Sequence, residues 1–449
     1  MRFSPSIICP KLMSCAKGSC YTALAVIGFF VSACPAWAGE EFSFELAEIE
    51  KKNLSWGGYA EVMWEHMDIN QGAAFSLLEP SARPGATLDR FSGRLQIDGS
   101  YLYQITSVNW LLKAAGQQDD GGDWSDMADV YEAYASLKPT PAVTAGIGKR
   151  SYRWGKGYAW NPTGFINRTK DPNNPEEALE GFSTAELDVI KSFAGPLQTV
   201  ALTTALLPVW QGVNEDFGEK DHVNLAAKLY FLYRDTDIDL ICYTGNSRTS
   251  RYGLDFSRNL ATNFEVHGEL AYTADRQKIV LQQDGAVLAD GGEAFSYLAG
   301  LRYLTENDLT SILEYYHNDE GYTEEEMDLF YQLAVDGEGQ LLASGMDALL
   351  GRARNLSLRG YGRPQPGRNY LYAKFTQQEP FDILYVTPGL IAIVNIDDKS
   401  CSISPEVVYS GFTNWELRLR FTALVGDAFS EYGEKLNNSK LELRLRCFF

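Results

Sequence analysis

One local pattern recurs through most of this chain: short segments in which apolar and polar side chains alternate with a strict period of two. The last ten residues, KLELRLRCFF, put Leu441, Leu443, Leu445, Cys447 and Phe449 on one side and Lys440, Glu442, Arg444 and Arg446 on the other. A segment from Leu54 sets Trp56, Ala60, Val62 and Trp64 against Tyr59, Glu61 and Glu65. Another, from Arg90, sets Phe91, Leu95, Ile97, Tyr101 and Tyr103 against Arg90, Ser92, Arg94, Gln96 and Asp98. A period of two is that of a β-strand with one face toward an apolar phase and one toward water.

Further strands are expected over Val108 to Ala115, 129–138, 142–153, 183–193, 198–209, 222–234, 238–246, 251–261, 264–276, 294–305, 309–319, 368–379, 383–394, 401–411 and 415–425, which with the three above, the last of them over 440–449, makes eighteen in all. Every second connection is short: near Ile105, Lys138 to Pro141, Ala194-Gly195-Pro196, Asp235-Thr236-Asp237, Thr262-Asn263, Asn307-Asp308, Pro380 to Asp382, and Thr413-Asn414. The connections between them are longer, acidic and rich in Gly and Asn. An even number of antiparallel strands closes into a barrel with both chain ends on one side. Pro208 and Pro388 each remove a ladder donor, and without those two segments the count falls to sixteen. Aromatic residues near strand ends, including Tyr101, Tyr103, Tyr233, Tyr272, Tyr303 and Tyr409, have the placement of interfacial girdles, which a secreted β-sandwich does not need. The expected fold is all-β, a transmembrane antiparallel barrel of about eighteen strands with an aqueous lumen.

The N-terminal region reads as an export signal. Arg2, Lys11 and Lys17 are the only charges in the first 38 residues, Tyr21 to Ala33 is apolar, and Ala36-Trp37-Ala38 offers a small-x-small cleavage site. Val31-Ser32-Ala33-Cys34 is a competing lipoprotein-type match that makes Cys34 a lipidated first residue. Cleavage after Ala38 leaves a short segment, 39–53, before a barrel spanning 54–449, and moves the formal net charge from −20 to about −23. So acidic a chain is a poor partner for nucleic acid. Four of the seven cysteines fall in the leader, and Cys242, Cys401 and Cys447 are too scattered for a disulfide framework or a metal cluster. Past the leader no apolar run reaches the roughly 18 residues of a membrane helix.

Leader, alternation, in-phase turns and the closing Phe449 together resemble a Gram-negative outer-membrane β-barrel of porin type. The resemblance covers nearly all of the chain after the leader and rests on architecture. It implies that Phe449 serves as the signal read by the barrel-assembly machinery, that membrane lipid and lipopolysaccharide surround the wall, that homo-oligomers are open to it, and that small polar solutes pass through the lumen without a cofactor.

The polar half of each strand should line that lumen. Arg90, Arg94, Arg418, Arg420, Arg444 and Arg446 lie on strands that closure brings into one sector around Glu61 and Glu65. Acidic wall candidates include Glu132, Glu186, Asp188, Asp239, Asp255, Glu265, Glu269, Glu314 and Glu406. A basic wall facing an acidic one sets a field across the pore that orients polar solutes.

The loop over about 154–181 is the third long one, and in porins the third loop commonly folds inward. Trp154, Tyr158, Trp160 and Phe165 would bury poorly in an exposed loop, so packing against the inner wall is expected, with Asp171, Glu176 and Glu177 facing the arginine sector. Its Gly155-Lys156-Gly157 lacks the spacing of a phosphate-binding loop. The longest loop, about 322–366, has helix-compatible spacing over Met327 to Val335 and Leu341 to Arg354. His267, between Glu265 and Glu269 on one face, is the one mid-strand lumen histidine, and with no nucleophile setting nearby it reads as a solvated polar residue rather than part of a catalytic group. A diffusion channel is the first reading, a sheath around a partner protein or exported polymer the second, and an outer-membrane enzyme a distant third.

Overall fold

A computed structural model describes residues 53–78, 85–120 and 122–449. The expected leader, its cleavage near Ala38, the Cys34 alternative and all but residue 53 of the 39–53 segment lie outside these residues. Eighteen antiparallel strands form one closed sheet. They are β1 (Leu54–Ile69), β2 (Thr87–Tyr103), β3 (Thr106–Asp119), β4 (Ser125–Thr140), β5 (Val143–Arg150), β6 (Phe182–Ser192), β7 (Leu197–Val209), β8 (His222–Tyr233), β9 (Thr236–Thr244), β10 (Arg251–Ala261), β11 (Phe264–Leu281), β12 (Val287–Leu304), β13 (Leu309–His317), β14 (Asn369–Gln377), β15 (Val386–Asn395), β16 (Cys401–Tyr409), β17 (Trp415–Val425) and β18 (Asn437–Phe448).

Each strand pairs with its neighbours in sequence, and β18 returns to β1 with Tyr59 opposite Phe448 and Glu65 opposite Glu442. Gly58 and Phe449 exchange backbone hydrogen bonds of 3.2 and 3.1 Å at this seam. A Cβ on Gly58 would lie 2.0 Å from the carbonyl oxygen of Gln96, so glycine is what fits where β1 is held between β18 and β2.

Alternation sorts the side chains as expected. Phe91, Ile147, Leu187, Leu240, Leu270, Phe295, Leu371, Val407 and Leu443 are exposed on the outside, Ile147 by 68%. An apolar surface running around the whole sheet has no place in water, and it is the lipid face of a transmembrane barrel. Trp56, Tyr101, Tyr103, Tyr233 and Tyr303 are exposed at the short-turn end, while Tyr252 and Tyr272 stack at 6.4 Å toward the long-loop end.

Several strand limits differ from expectation. β5 stops at Arg150 rather than 153, because the chain there turns into the lumen. The connection expected to turn tightly at Pro380 to Asp382 runs over 378–385, with Glu379, Phe381, Asp382 and Tyr385 in left-handed backbone conformations, so β15 begins at Val386. Pro208 and Pro388 are accommodated at the penultimate residue of β7 and the third residue of β15, where the ladders are ending.

β11 and β12 are the longest strands, 18 residues each, and their extra length supports a helical cap. The cap consists of α1 (Ala74–Leu78), α2 (Glu324–Ser344) and α3 (Ala348–Leu356). Thr323 and Glu326 form a capping box at the start of α2, and Gly345, with φ of 71°, ends it. Leu77, Phe330, Tyr331, Leu350, Leu356 and Tyr361 bury against Leu281 of β11, a small second core outside the barrel.

Candidate functional site

The functional geometry centres on the 151–181 loop, which leaves β5 and makes a circuit of the lumen before entering β6. Its first anchor is Glu269 on β11. Oε1 accepts the amides of Lys156 (2.6 Å) and Gly157 (2.7 Å) and the Asn161 side chain (2.9 Å). Oε2 accepts the Thr163 amide (3.0 Å) and hydroxyl (2.7 Å). Gly155, at φ of 98°, has its Cβ position 2.7 Å from Glu269 Oε1, so a side chain there would displace the carboxylate. The Gly-Lys-Gly segment therefore does cradle an anion, as successive backbone amides can. The anion is a carboxylate of the protein's own wall.

Glu314 on β13 is the second anchor, accepting the amides of Tyr158 (2.5 Å) and Ala159 (2.8 Å). His267 is buried rather than solvated, with Nε2 2.9 Å from Glu314 Oε1 and Nδ1 3.6 Å from Glu265. A Cβ on Gly300 would lie 2.2 Å from His267 Nε2, so the neighbouring strand makes room for the ring by having none. Lys156 completes the attachment by reaching Asp239 at 3.1 Å and Asp255 at 3.9 Å. Burial pulls its ammonium down, but those two carboxylates outweigh burial and hold it above the usual lysine range.

Of the loop's aromatic residues, Trp154, Trp160 and Phe165 are buried and Tyr158 is half-buried. Trp154 packs edge-on to Tyr152 at 5.6 Å in a cluster with β7, β8 and β9. Tyr158 lies edge-on to His267 at 5.3 Å and donates its hydroxyl to Glu265 at 3.3 Å. Trp160 stacks on Tyr316 at 5.2 Å and meets Tyr370 and Tyr372, in a cluster that also holds Tyr432 from the last loop.

Past residue 170 the loop crosses toward the arginine sector. Glu177 pairs with Arg94 at 3.2 Å and Lys113 at 3.6 Å, and Asn174 accepts from Arg420 at 3.1 Å. Two expectations need correction. Glu176 meets Lys374 on β14 at 3.4 Å instead of an arginine, and its side chain stays 89% exposed. Asp171 accepts from Asn173 and Asn174, closing an Asx turn within the loop.

The six wall arginines lie on β2, β17 and β18, but they do not form a bare basic surface. Arg446 reaches Glu61 at 2.6 Å, with Arg94 at 3.6 Å and Arg444 at 3.7 Å from the same carboxylate. Arg444 also pairs with Glu442 at 2.9 Å, Arg420 with Glu406 at 2.6 Å, Arg418 with Glu416 at 3.6 Å, and Arg90 with Asp119 at 2.6 Å. Glu65 is taken by Lys440 at 2.7 Å. On the other side Glu186 is paired to Arg150 at 2.6 Å and Asp188 accepts from the Thr203 hydroxyl at 2.6 Å. A buried charge without a partner is costly, so acids and bases interleave along each wall instead of facing one another across it. The expected transverse field is correspondingly reduced.

Lys113, Tyr316, Tyr370, Tyr372 and Tyr432 contribute to this arrangement without having stood out in the sequence. Alternation places the first four on the lumen face, yet nothing local marks them, or the wall candidate Glu314, as partners of the inward loop.

No protein-family model and no curated protein matches the sequence. Solved structures do match in shape. The chain is similar to Pseudomonas aeruginosa OccK5 (OpdH), with a TM-score of 0.52, 8% identity, and coverage of 88% of this chain and 98% of that one. It is also similar to Pseudomonas aeruginosa OccK11 (OpdR), with a TM-score of 0.50, 13% identity, and coverage of 88% and 95%. At such identities the likeness concerns fold, and it agrees with the closed sheet, the apolar exterior and the polar, loop-crossed interior. The fold is that of a porin-like outer-membrane β-barrel.

Proposed function

We propose that this protein is an outer-membrane channel for diffusion of small polar solutes, its cross-section set by the 151–181 loop. The observation that carries the reading is the way this loop occupies the lumen. It is fixed at Glu269 and Glu314 on one side and at Arg94, Lys113 and Arg420 on the other, while Glu176 remains open to water. A wide barrel needs no such attachment merely to be stable; a loop tied across it narrows the path. Export across the inner membrane, and membrane lipid and lipopolysaccharide around the apolar band, belong to the same reading. A sheath around a partner protein requires an unobstructed lumen, and the crossing loop disfavours it.

The test is single-channel recording of the purified, folded protein in planar bilayers under a salt gradient. Stepwise conductance with a reproducible reversal potential is expected. Silence at every voltage and salt concentration would count against a channel.

A further inference from the structure

A pocket of about 220 Å³ opens between residues 159–170 of the inward loop and the long-loop halves of β11, β12 and β13, represented by Thr273, Ser296 and Tyr316. Four cationic residues line it, Arg168, Lys170, Arg248 and Arg251, against one carboxylate, Glu320. In a chain of net charge −20 that local excess of positive charge stands out.

Two of these cations are compensated. Arg251 pairs with Glu320 at 3.2 Å, and Arg168 pairs with Glu180 at 3.4 Å and also with Asp216. The other two are not. Lys170 donates only to carbonyl oxygens, Gly157 at 2.9 Å and Tyr158 at 3.3 Å. Arg248 donates through Nε to the carbonyl of Phe217 and lies over that ring at 3.9 Å from its centroid. Neither forms an ion pair among the described residues. Glu269 and Glu314 act on Lys170, and Asp216 on Arg248, only from beyond pairing distance, so burial still prevails; carbonyl oxygens and a ring face orient a cation without neutralising it, and a half-buried charge left so is costly.

We propose that the pocket binds the phosphate group of a soluble phosphate monoester, with Lys170 and Arg248 as its counter-charges. A phosphate monoester carries roughly −1.5 to −2 at neutral pH, which matches two uncompensated cations. A monocarboxylate leaves one of them unanswered. Asn161, Asn167, Thr169 and Asn318 give the rim neutral hydrogen-bonding groups suited to a hydroxylated remainder. Lipid headgroups carry the same phosphate chemistry, but the lining from the inward loop and the inner faces of β11 to β13 places the pocket inside the barrel wall, which favours a soluble ligand. Burial lowers the affinity of both cations for their protons, Arg248 to about 10, where the neighbouring Arg251 adds to the effect. A bound dianion reverses that penalty.

The assignment names a ligand class for the proposed channel, and its test does not depend on conductance. sn-Glycerol 3-phosphate is titrated into the detergent-solubilised, folded protein by calorimetry, with glycerol, propionate and phosphatidic acid as separate arms. Saturable binding of the phosphate ester is expected, with glycerol silent and propionate weaker by about tenfold, the scale of one charge-assisted contact. R248Q should weaken binding by about tenfold or more and R248K should retain most of it. Because Lys170 also steadies the inward loop, R248Q rather than K170Q is the decisive variant. Unchanged binding in R248Q, equal binding of propionate, or binding of phosphatidic acid alone overturns the proposal. Binding without conductance supports it and sinks the channel reading; conductance without binding does the reverse.

Discussion

Glu314 accepts the backbone amide of Ala159 at 2.8 Å, although 155 positions separate the two residues in sequence. Together with Glu269 it converts two lumen-facing carboxylates into fixed points for the loop that crosses the barrel. Acidic residues that appear available to solute when strands are considered singly are thus committed to holding that loop.

Removal of the Glu269 carboxylate should free that loop. E269A leaves the amides of Lys156, Gly157 and Thr163 without their acceptor, at about 1 to 3 kcal/mol for each buried group left unsatisfied. The strand ladders on either side of Glu269 are untouched. Single-channel conductance should rise, or become noisy, while the folded barrel keeps its slower mobility in unheated gel electrophoresis. Wild-type conductance in E269A would mean that other contacts hold the loop.

The barrel seam should depend on the Arg446–Glu61 pair. Glu61 is almost fully buried, and Arg446 approaches it at 2.6 Å. Breaking a buried pair from one side costs about 3 to 5 kcal/mol, but Arg94 and Arg444 stand near the same carboxylate and should soften the loss. R446A is expected to lower the temperature at which the barrel unfolds in detergent. E61Q combined with R446A should cost less than the two single changes added together. Simple additivity would show that the pair is not coupled.

Stability of the last long loop should fall as pH rises from about 4.5 toward 7. Glu431 lies buried in that loop, where Tyr370 and Asn395 donate to it at 2.6 and 2.9 Å. Burial raises its carboxyl to about 7, with Lys435 opposing the shift. Since the folded value exceeds the unfolded one, the protonated form is favoured by folding. Its contribution is complete below the unfolded value and is lost as pH passes through the folded one. Over that window the change is on the order of 3 kcal/mol. Protection factors over 426–436, with the intrinsic pH dependence of amide exchange divided out, should fall between pH 5 and 8 in the wild type and hardly change in E431Q. An equal pH response in E431Q would assign the effect elsewhere.

Phe449 should matter to barrel formation through its side chain as well as its backbone. Its ring lies 6.1 Å from that of Trp56 on the closing strand, beside the backbone pair with Gly58. F449A keeps that backbone pair and loses the aromatic contact, so the yield of folded protein in the outer membrane should drop. Refolding of the purified chain in detergent separates closure from assembly: normal refolding with poor yield in cells points to recognition by the assembly machinery.

What was legible in the sequence follows from what is local. Strand periodicity shows in neighbouring residues, turn chemistry in two or three positions, and the lipid-facing or lumen-facing identity of Phe91, Arg94, Leu443 and Arg444 follows once the period is known. Helical spacing in the longest loop was visible for the same reason, and α2 and α3 lie where it pointed. The tight turn expected at Pro380 to Asp382 shows the limit, since its real length is fixed by where β15 joins its partners.

The amino-acid sequence by itself determined the all-β architecture, the strand count and its in-phase turns, and which residues face the lumen. The tertiary structure alone decided what those residues do there. It brought Glu269 and Glu314 to the amides of a loop more than a hundred positions away, paired each wall arginine with a carboxylate, and, among the described residues, left Lys170 and Arg248 without an ion pair. Alternation assigns a side chain to a face; only closure of the sheet and the path of the inward loop bring opposite charges within a few ångströms, where burial makes pairing compulsory.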